Sequence, residues 1–323
     1  MTLASSHASP LVLHTLYGET MGTRWRVDLF AARSQPLEPL HGAVQARLDA
    51  IVAQMSSWEP GSDLARFNRA PAGSWHPLPD DFFAVMDCAL QVARDSGGAF
   101  DPTLGALVGA WGFGALAQAR GTRPDDAALA SARAESGWQR LQLDRDGRRL
   151  LQPGDLVLDL SAIAKGYGVD AVVALLREHG IDAALVDVGG ELRGLGRKPD
   201  GSAWRVLVES GGDEDEAACI VTLDDAAIAT SGPCWQRFEL DGRELSHTID
   251  PRTGRPVADP PAAVSVIAGS AMLADAWSTA LSVMGVDAGA GFAGARGLAA
   301  RLLPPQPGAQ ALTTPAFEAH LPS

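Results

Sequence analysis

The stretch LVLDLSAIAKGYGVDAVVALLREHGIDAALVDVGG, residues 156–190, predicts a strand, a helix and a second strand in direct succession. Residues 156–160 form a short apolar run, and Ser161 is placed to cap a helix that ends near Gly180. The second strand, residues 184–188, closes at a Gly-Gly pair. These features predict one compact strand–helix–strand unit.

Strand and helix patterns on both sides of this unit follow no regular rhythm. The strand-like segments are residues 22–30, 204–209, 217–223, 238–245 (a hairpin around an Asp-Gly turn) and 264–268. The helical segments are residues 40–55, 80–93 (with Asp80 or Asp81 as N-cap), 122–136 and the segment around residue 275. Without a strict βαβ repeat, the pattern favours an α+β fold of mixed sheets with packed helices. No GxGxxG follows a predicted strand and no GxxxxGK[ST] occurs, which argues against a Rossmann site and a P-loop enzyme.

Composition narrows the class of protein and its partners. The chain has 323 residues, 46% hydrophobic and 20% charged, with a formal net charge of −13. An acidic surface disfavours nonspecific binding to nucleic acid or anionic membranes. The three cysteines stand singly and form no CxxC pair. We therefore expect a globular protein with no nucleic-acid partner and no disulfide framework.

The length fits one large domain, which we place at residues 16–303, between a flexible N-terminus (1–15) and a loosely ordered, Pro-rich tail (304–323). No stretch approaches the roughly 18 apolar residues of a membrane span, and no basic and apolar leader begins the chain. We therefore expect a cytoplasmic protein, with a periplasmic one as the alternative if a leader has been trimmed. The acidic run 211–216 fits a solvated hairpin connection or, alternatively, a calcium loop.

Asp275 and Thr279 lie four residues apart in LADAWSTAL, residues 273–281. An apolar stripe at Ala274, Trp277 and Leu281 follows the roughly 3.6-residue period of a helix. Positions i and i+4 share one helix face, so a carboxylate and a hydroxyl are presented together. Both offer the hard oxygen that Mg²⁺ and Ca²⁺ prefer. An exposed Asp beside a Thr that bonds to its own helix fits the same spacing.

Lys165 falls in the first turns of the predicted helix, with Asp159 at the end of the preceding strand. The helix dipole favours anions at that end, so a lysine there makes sense where an anion such as phosphate docks. A surface lysine paired with a nearby aspartate is the alternative. His247 precedes the turn at 250–254, and histidine is the side chain best suited to proton transfer near neutral pH. A structural histidine is the other interpretation.

Three short segments give weaker signals. Trp58 offers a flat ring that can stack on a heteroaromatic ligand, although an isolated tryptophan also fits a core position. The runs Met-Gly-Thr at 21–23 and Ala-Thr-Ser-Gly at 229–232 combine hydroxyl residues with glycine, which lets a backbone approach a ligand closely. Each signal is weak by itself.

Taken in order, these motifs are similar to those of one known family. They are Met-Gly-Thr at 21–23, Ser-Ser-Trp at 56–58, Phe-Asp-Pro-Thr at 100–103, Trp-Gly-Phe at 111–113, the run 159–166, Val-Gly-Gly at 188–190, Ala-Thr-Ser-Gly at 229–232, Ser-His-Thr-Ile-Asp-Pro-Arg-Thr-Gly at 246–254 and Asp-Ala-Trp-Ser-Thr at 275–279. The chain resembles the ApbE family of FAD:protein FMN transferases over residues 16 to 300. The resemblance implies a T-fold-like α+β architecture with two lobes around a central flavin cleft.

The resemblance also implies an enzyme that cleaves FAD at its diphosphate and transfers FMN to a threonine of an acceptor flavoprotein, with AMP leaving. The implied Mg²⁺ ligands are the main-chain carbonyl of Ala162 and the side chains of Asp275 and Thr279. The implied FAD contacts are Met21, Trp58, Ala99, Phe100, Asp101, Asp159, Lys165 and Ile249. His247 matches the family's candidate general base, and Lys165 would share the neutralisation of the diphosphate with the metal.

Three departures from the family pattern concern the flavin pocket or partner docking and leave the metal ligands untouched. They are the run 233–235 (Pro-Cys-Trp), Gly105 where a neighbouring Pro is common, and Glu191 where Asn or Asp is frequent. Two other functions stay open at this point. Water in place of the threonine would make the protein an FAD pyrophosphatase, and loss of turnover would make it an FAD-binding or delivery protein.

Overall fold

The fold is built around one large antiparallel β-sheet. The computed structural model describes residues 10–117, 123–208, 218–232, 237–240, 243–306 and 308–322. The strands are β1 (Leu11–Thr20), β2 (Thr23–Ala32), β3 (Ser74–Pro77), β4 (Gln142–Asp144), β5 (Arg149–Gln152), β6 (Ala184–Val188), β7 (Glu191–Leu195), β8 (Trp204–Val208), β9 (Cys219–Leu223), β10 (Ala227–Ser231), β11 (Arg237–Leu240), β12 (Arg243–Ser246), β13 (Ile249–Asp250), β14 (Arg255–Pro256), β15 (Ala263–Ala268), β16 (Ala299–Leu303) and β17 (Leu312–Thr313). The helices are α1 (Glu38–Met55), α2 (Asp63–Asn68), α3 (Asp80–Asp95), α4 (Gly105–Ala110), α5 (Asp126–Ala134), α6 (Ala164–Glu178), α7 (Ala271–Met284), α8 (Val286–Arg296) and α9 (Pro315–Glu318). The predicted α+β class is confirmed.

The large sheet has the strand order β1-β2-β6-β7-β10-β15-β16-β17 within the described residues, and each neighbouring pair is antiparallel. Side chains alternate between its two faces. Along β6, Val186 packs in a core cluster with α1 and α6, whereas Leu185 packs against the opposite cluster. That second cluster contains the β8–β9 hairpin and α9. The sheet is therefore buried between helices on one face and the hairpin with α9 on the other.

A two-residue turn of Met21 and Gly22 joins β1 to β2. Both residues have positive φ, 50° and 71°, as a type I′ hairpin turn requires. The turn lies against α6, since a Cβ added to Gly168 would stand only 3.2 Å from Met21 Cε. A Cβ on Gly189 would stand 2.7 Å from Thr23 Cγ2, so that glycine also allows a close approach. The Met-Gly-Thr motif is thus a hairpin tip packed between α6 and the Gly-Gly turn.

The amphipathic helices predicted over 40–55 and 80–93 are confirmed as α1 and α3, and the segment around residue 275 as α7. The cap of α3 differs from the prediction, because Pro79 occupies the N-cap position and both aspartates lie inside the helix. The predicted pairing of 204–209 with 217–223 is confirmed as β8 with β9. The acidic run 211–216 and the run 233–235 lie outside the described residues.

Residues 156–160 do not form the predicted strand. Their ladder contact within the described chain is a single bridge from Val157 to Leu104. The side chain of Asn68 instead bonds the backbone of Leu158: Nδ2 donates to its carbonyl (3.0 Å) and Oδ1 accepts from its N–H (2.8 Å). Because buried backbone groups need partners, this amide takes the place of a neighbouring strand.

Ordered structure extends beyond both predicted ends of the domain. Strand β1 begins at Leu11, inside the segment predicted to be flexible. The segment predicted to be a loose tail contains β17 and α9, and Phe317 of α9 is fully buried. Thr314 fixes this segment to β16, because its Oγ1 accepts from Ala300 N (2.9 Å) and donates to Leu298 O (2.7 Å). One buried aromatic ring and one bonded hydroxyl therefore outweigh the Pro-rich composition. None of the described helices has the length and apolar character that a membrane crossing needs.

Asp81, at the start of α3, ties three helices together. Its carboxylate pairs with Arg47 of α1 (Nη2 to Oδ1, 2.6 Å) and accepts from Tyr167 of α6 (2.6 Å) and Gln54 of α1 (3.0 Å). The Arg47 hydrogen bonds, helped by Tyr167, outweigh burial and lower the pKa of Asp81 to about 2. Burial and the Asp81 charge raise the pKa of Tyr167 to about 12.

We expect Asp81→Asn to lower the free energy of unfolding at neutral pH by about 1.5–3 kcal/mol, because charge-assisted hydrogen bonds to Arg47 and Tyr167 weaken. The pKa of Asp81 is lowered on folding, so its contribution is present above the ordinary value of 3.8 and is lost as the pH falls toward about 2. Urea unfolding across this pH range should show variant and wild type converging in acid.

Asp80→Asn is the matched control. Asp80 is the neighbouring carboxylate, 83% exposed, and its ion pair with Arg148 lies at the surface. Such pairs contribute little to stability, so the free energy of unfolding should barely change. Equal losses in the two variants would contradict the role given to Asp81.

Candidate active site

Helices α6 and α7 begin beside each other, and each supplies a carboxylate to the first turn of the other. Asp275 of α7 accepts a hydrogen bond from the backbone N–H of Gly166 (3.1 Å). Asp170 of α6 accepts from the backbone N–H groups of Ala271 and Met272 (2.9 Å each). The first N–H groups of a helix have no partner within it, so both carboxylates cap a helix end. We call this arrangement the reciprocal cap.

Glycine at position 166 allows the two helices to approach this closely. A Cβ there would stand 2.3 Å from Ala271 O and 2.6 Å from its carbonyl carbon. Arg193 of β7 forms an ion pair with Asp170, and both side chains are largely buried. The reciprocal cap is therefore fixed to the sheet as well as to both helices.

The predicted cap of α6, Ser161, is wrong. The helix begins at Ala164, and the backbone N–H of Ser161 donates to Asp159 Oδ1 (2.8 Å) outside the helix. Asp275, 109 residues away from Gly166 in sequence, takes the capping role. Local spacing cannot predict a contact over that separation.

Three charged side chains gather where α6 begins. Lys165 Nζ donates to Glu191 Oε1, while Glu191 and Asp275 are only 3% and 5% exposed. The other oxygen of Glu191, Oε2, is buried and has no hydrogen-bond partner among the described residues. The acid that pairs with Lys165 is thus a glutamate, not the aspartate considered from sequence. One ammonium group faces two buried carboxylates.

The electrostatics of this cluster show a shortage of positive charge. Burial, reinforced by the charge of Asp275, raises the pKa of Glu191 to about 8. Burial also raises the pKa of Asp275, although Lys165 and the Gly166 N–H oppose it. For Lys165, burial lowers the pKa, but Asp275 and Glu191 outweigh burial and the pKa rises. Both carboxyls therefore compete for one ammonium, and a further cation would relieve that competition.

Ala162 and Thr279 would complete the predicted cation ligands. Thr279 lies one helical turn beyond Asp275 on α7 and is half-buried, and Ala162 packs against the core just before α6. The described residues contain no group of three His, Cys, Asp or Glu side chains that could hold a metal ion. A cation here would rely on one carboxylate, a hydroxyl, a main-chain oxygen and ligand oxygens, which are donors that Mg²⁺ prefers. The partnerless oxygen of Glu191 fits a nearby cation.

Asp101 shapes a loop beside the start of α6. Its Oδ1 accepts from Thr103 N (2.8 Å) and Oγ1 (2.6 Å), and its Oδ2 accepts from Trp138 N (3.2 Å). Burial raises the pKa of Asp101 despite these donors. The backbone N–H of Asp159 donates to Pro102 O (2.9 Å), so the two predicted aspartates lie on adjacent segments.

His247 and Ile249 lie near α4. The ring of His247 stands edge-on to Phe113, with centroids 6.4 Å apart. Ile249 is buried in a cluster that includes Trp111 and Leu107. The ring of His247 therefore lies beside the segment that follows α4.

The turn after His247 is held by two long-range contacts. Trp111 Nε1 donates to Gly254 O (2.9 Å), and Arg133 of α5 donates to Thr253 O and Arg252 O (2.9 Å each). These contacts join α4 and α5 to the turn. They give the Trp-Gly-Phe motif a structural reason, since its tryptophan anchors the turn.

The comparison with known families agrees with this geometry. The sequence model of the ApbE family matches residues 21–302. The chain belongs to the ApbE family. The predicted family is confirmed.

Relatives of known name within the ApbE family are enzymes. FAD:protein FMN transferase of Klebsiella pneumoniae is 39% identical, over 88% of this chain and 82% of its own. The Salmonella typhimurium protein of the same name is 37% identical, over 87% and 81%. The apo flavinyl transferase ApbE of Pseudomonas stutzeri matches with a TM-score of 0.88 and 38% identity, covering 97% of this chain and 98% of its own. The flavin transferase ApbE of Vibrio cholerae matches with a TM-score of 0.88 and 32% identity, covering 97% and 100%.

Five of the eight residues that the ApbE resemblance assigned to FAD fall in three places. Met21 packs against α6 from the β1–β2 turn, and Lys165 lies in the first turn of α6. Asp101 and Asp159 lie on adjacent segments, and Ile249 lies close to His247 in sequence and packs beside α4. Ala99 and Phe100 are buried, so their side chains belong to the core. Trp58 is 67% exposed, so the alternative that it is a core residue is wrong. The contacts of these residues with FAD stay predictions.

Three residues that hold this ApbE site together were not predicted from the sequence. Asn68 replaces a strand partner, Asp170 caps α7, and Glu191 holds Lys165. Glu191 gave one signal, its position directly after the Gly-Gly pair, and the sequence marked it only as a departure. Asp170 and Asn68 gave none, because their partners are distant in sequence.

We expect Gly166→Ala to lower the free energy of unfolding by about 1–3 kcal/mol, because the new Cβ meets the backbone of Ala271 and forces α6 and α7 apart. Urea unfolding measures the loss. Gly42→Ala, on an exposed position of α1 with open space around the new Cβ, is the control. It should stabilise by about 0.5–1 kcal/mol through helix propensity. A loss equal to zero for Gly166→Ala would contradict the close approach.

Proposed function

We propose that this protein is an FAD:protein FMN transferase that requires Mg²⁺, attaches FMN to a threonine of an acceptor flavoprotein and releases AMP. Family membership and the names of the relatives support the reaction class. The observation that carries the finer proposal is the cluster of Lys165, Glu191 and Asp275 at the start of α6. An FAD diphosphate is an anion, and with a divalent cation bound to Asp275 this cluster could receive one.

Two features of the protein favour diphosphate binding at this place. The start of a helix carries partial positive charge and N–H donors. Lys165 adds an ammonium group, and its side chain is 32% exposed. Glu191 accepts one of the hydrogen bonds that this ammonium can donate. An ammonium has three donors, so two remain for a ligand. The protein can therefore neutralise diphosphate oxygens from one side.

Asp275, Thr279 and the carbonyl of Ala162 would hold the divalent cation. When bound, Mg²⁺ would offset charge that develops on the phosphate oxygens. The buried carboxylate of Asp275 lacks an ion-pair partner in the described chain, which suits it to a cation. Its hydrogen bond from Gly166 orients the carboxylate without neutralising it.

His247 would act as the general base. In the transfer, a new bond forms between the threonine Oγ and the FMN phosphorus as the bridging bond to the AMP phosphate breaks. The threonine proton passes to the imidazole, and AMP leaves with the bridging oxygen. A base in this position contributes about 10²–10⁴ in rate. The fixed turn after His247 would keep the imidazole in place.

We expect the wild-type protein, given FAD, MgCl₂ and an acceptor flavoprotein, to produce acceptor bearing FMN together with one AMP per transfer. Intact-protein mass spectrometry measures the labelled acceptor, and chromatography measures AMP and free FMN. An acceptor whose target threonine is changed to valine should stay unlabelled. FMN release at the same rate without any acceptor would instead identify a pyrophosphatase, and bound FAD that stays unchanged would identify a binding protein.

We expect Asp275→Asn and Thr279→Val to lower the transfer rate by at least about 10²-fold, because the first removes the negative charge of a cation ligand and the second removes a ligand oxygen. His247→Asn should lower it by about 10²–10⁴-fold. Chelation of divalent ions should stop transfer in the wild type. Asp80→Asn, which removes an exposed carboxylate paired with Arg148 at the surface, is the control and should retain wild-type activity. Full activity of Asp275→Asn would contradict the proposed cation site.

A further inference from the structure

Glu191 is a buried acid that belongs neither to the predicted metal ligands nor to the predicted FAD contacts. It follows the Gly-Gly turn at the start of β7 and is 3% exposed. One carboxylate oxygen holds the ammonium of Lys165, and the other is buried and lacks a hydrogen-bond partner in the described part of the chain. A glutamate with only a structural role would be expected to have both oxygens bonded, because an unbonded buried oxygen is costly.

Lys165 lies among several acids: Glu191 holds its ammonium, and Asp275 and Asp187 also raise its pKa. It forms an ion pair with Glu191, and within the described residues no ion pair joins it to Asp275. Asp275 nevertheless lies nearby, because its carboxylate accepts a hydrogen bond (3.1 Å) from the backbone N–H of Gly166, the residue after Lys165. A lysine is a point charge on a long flexible stem, so its ammonium can move between neighbouring acids. The observed arrangement leaves the carboxylate of Asp275 without a cation.

We propose that Glu191 is a positioning residue that holds the Lys165 ammonium away from Asp275 and thereby keeps the Asp275 carboxylate available for a divalent cation. This inference rests on the cation site of the proposed function. Without Glu191, the ammonium would be free to pair with Asp275, whose carboxylate is bonded to the backbone of the residue after Lys165, and that ion pair would occupy the oxygens that the cation needs. Glu191 thus acts on the metal site through Lys165.

The length of the Glu191 side chain matters as much as its charge. Glu191→Gln removes the charge, and Glu191→Asp keeps the charge but shortens the side chain by one methylene. A simple effect of charge on a nearby cation predicts weaker cation binding for Glu191→Gln and unchanged binding for Glu191→Asp. A positioning role predicts a loss for Glu191→Asp too, because the shorter side chain cannot hold the ammonium in place.

The experiment measures binding of Mn²⁺ to the full chain, without FAD, from the electron paramagnetic resonance signal of free Mn²⁺. We expect Glu191→Gln and Glu191→Asp each to weaken Mn²⁺ binding by about 10- to 100-fold, as loss of residues that orient metal ligands does. Adding Lys165→Met to Glu191→Asp should restore binding, because no ammonium remains to occupy Asp275. Urea unfolding of each variant controls for loss of the fold, and restored binding in the double variant also shows that the site is intact.

Wild-type binding in Glu191→Asp would overturn the inference, as would failure of Lys165→Met to restore binding in the double variant. Asp275→Asn separates this inference from the proposed function. If Asp275→Asn abolishes Mn²⁺ binding while Glu191→Asp keeps it, the cation site stands and only the role of Glu191 is wrong. If the wild type binds no Mn²⁺, or Asp275→Asn binds it normally, the cation site itself is wrong and the inference fails with it.

Discussion

The reciprocal cap between α6 and α7 is the constraint on which the rest of the site depends. Asp170 satisfies the first N–H groups of α7, and Asp275 satisfies one at the start of α6, so neither helix end is left without partners. The exchange brings Lys165 and Asp275 into one cluster as a by-product of closing two helices. The cap of α6 and the proposed cation ligand are therefore the same carboxylate.

The capping role of Asp275 explains the unusual electrostatics of the cluster. Asp275 must be buried to reach the Gly166 N–H, and burial raises its pKa, as it does for Glu191. Elsewhere the chain balances a buried acid fully, as Asp81 is balanced by Arg47, Tyr167 and Gln54. The contrast separates an acid that is fully paired from two acids that share one ammonium.

Much of the fold and part of the site could be predicted from hydrophobic periodicity and from the order of the motifs. The spacing of Asp275 and Thr279 predicted one face of a helix correctly, because that spacing is a property of the helix alone. The strand at 156–160 failed, because Asn68 supplies the hydrogen bonds that a strand partner normally gives. The pairing of Lys165 with Glu191 could not be predicted either, because these residues are 26 positions apart, on a helix and a strand that meet only in the folded chain. Local chemistry was therefore predictable, and partners across the fold were not.

The same long-range closure has a consequence for the nascent chain. The two halves of the reciprocal cap are separated by 101 and 109 residues, so α6 emerges from the ribosome about 5–20 s before α7 at typical rates of synthesis. During that interval the flank of α6 around Gly166 faces solvent without its neighbour. The cluster of Lys165, Glu191 and Asp275 can therefore be completed only late in translation, after α7 has emerged.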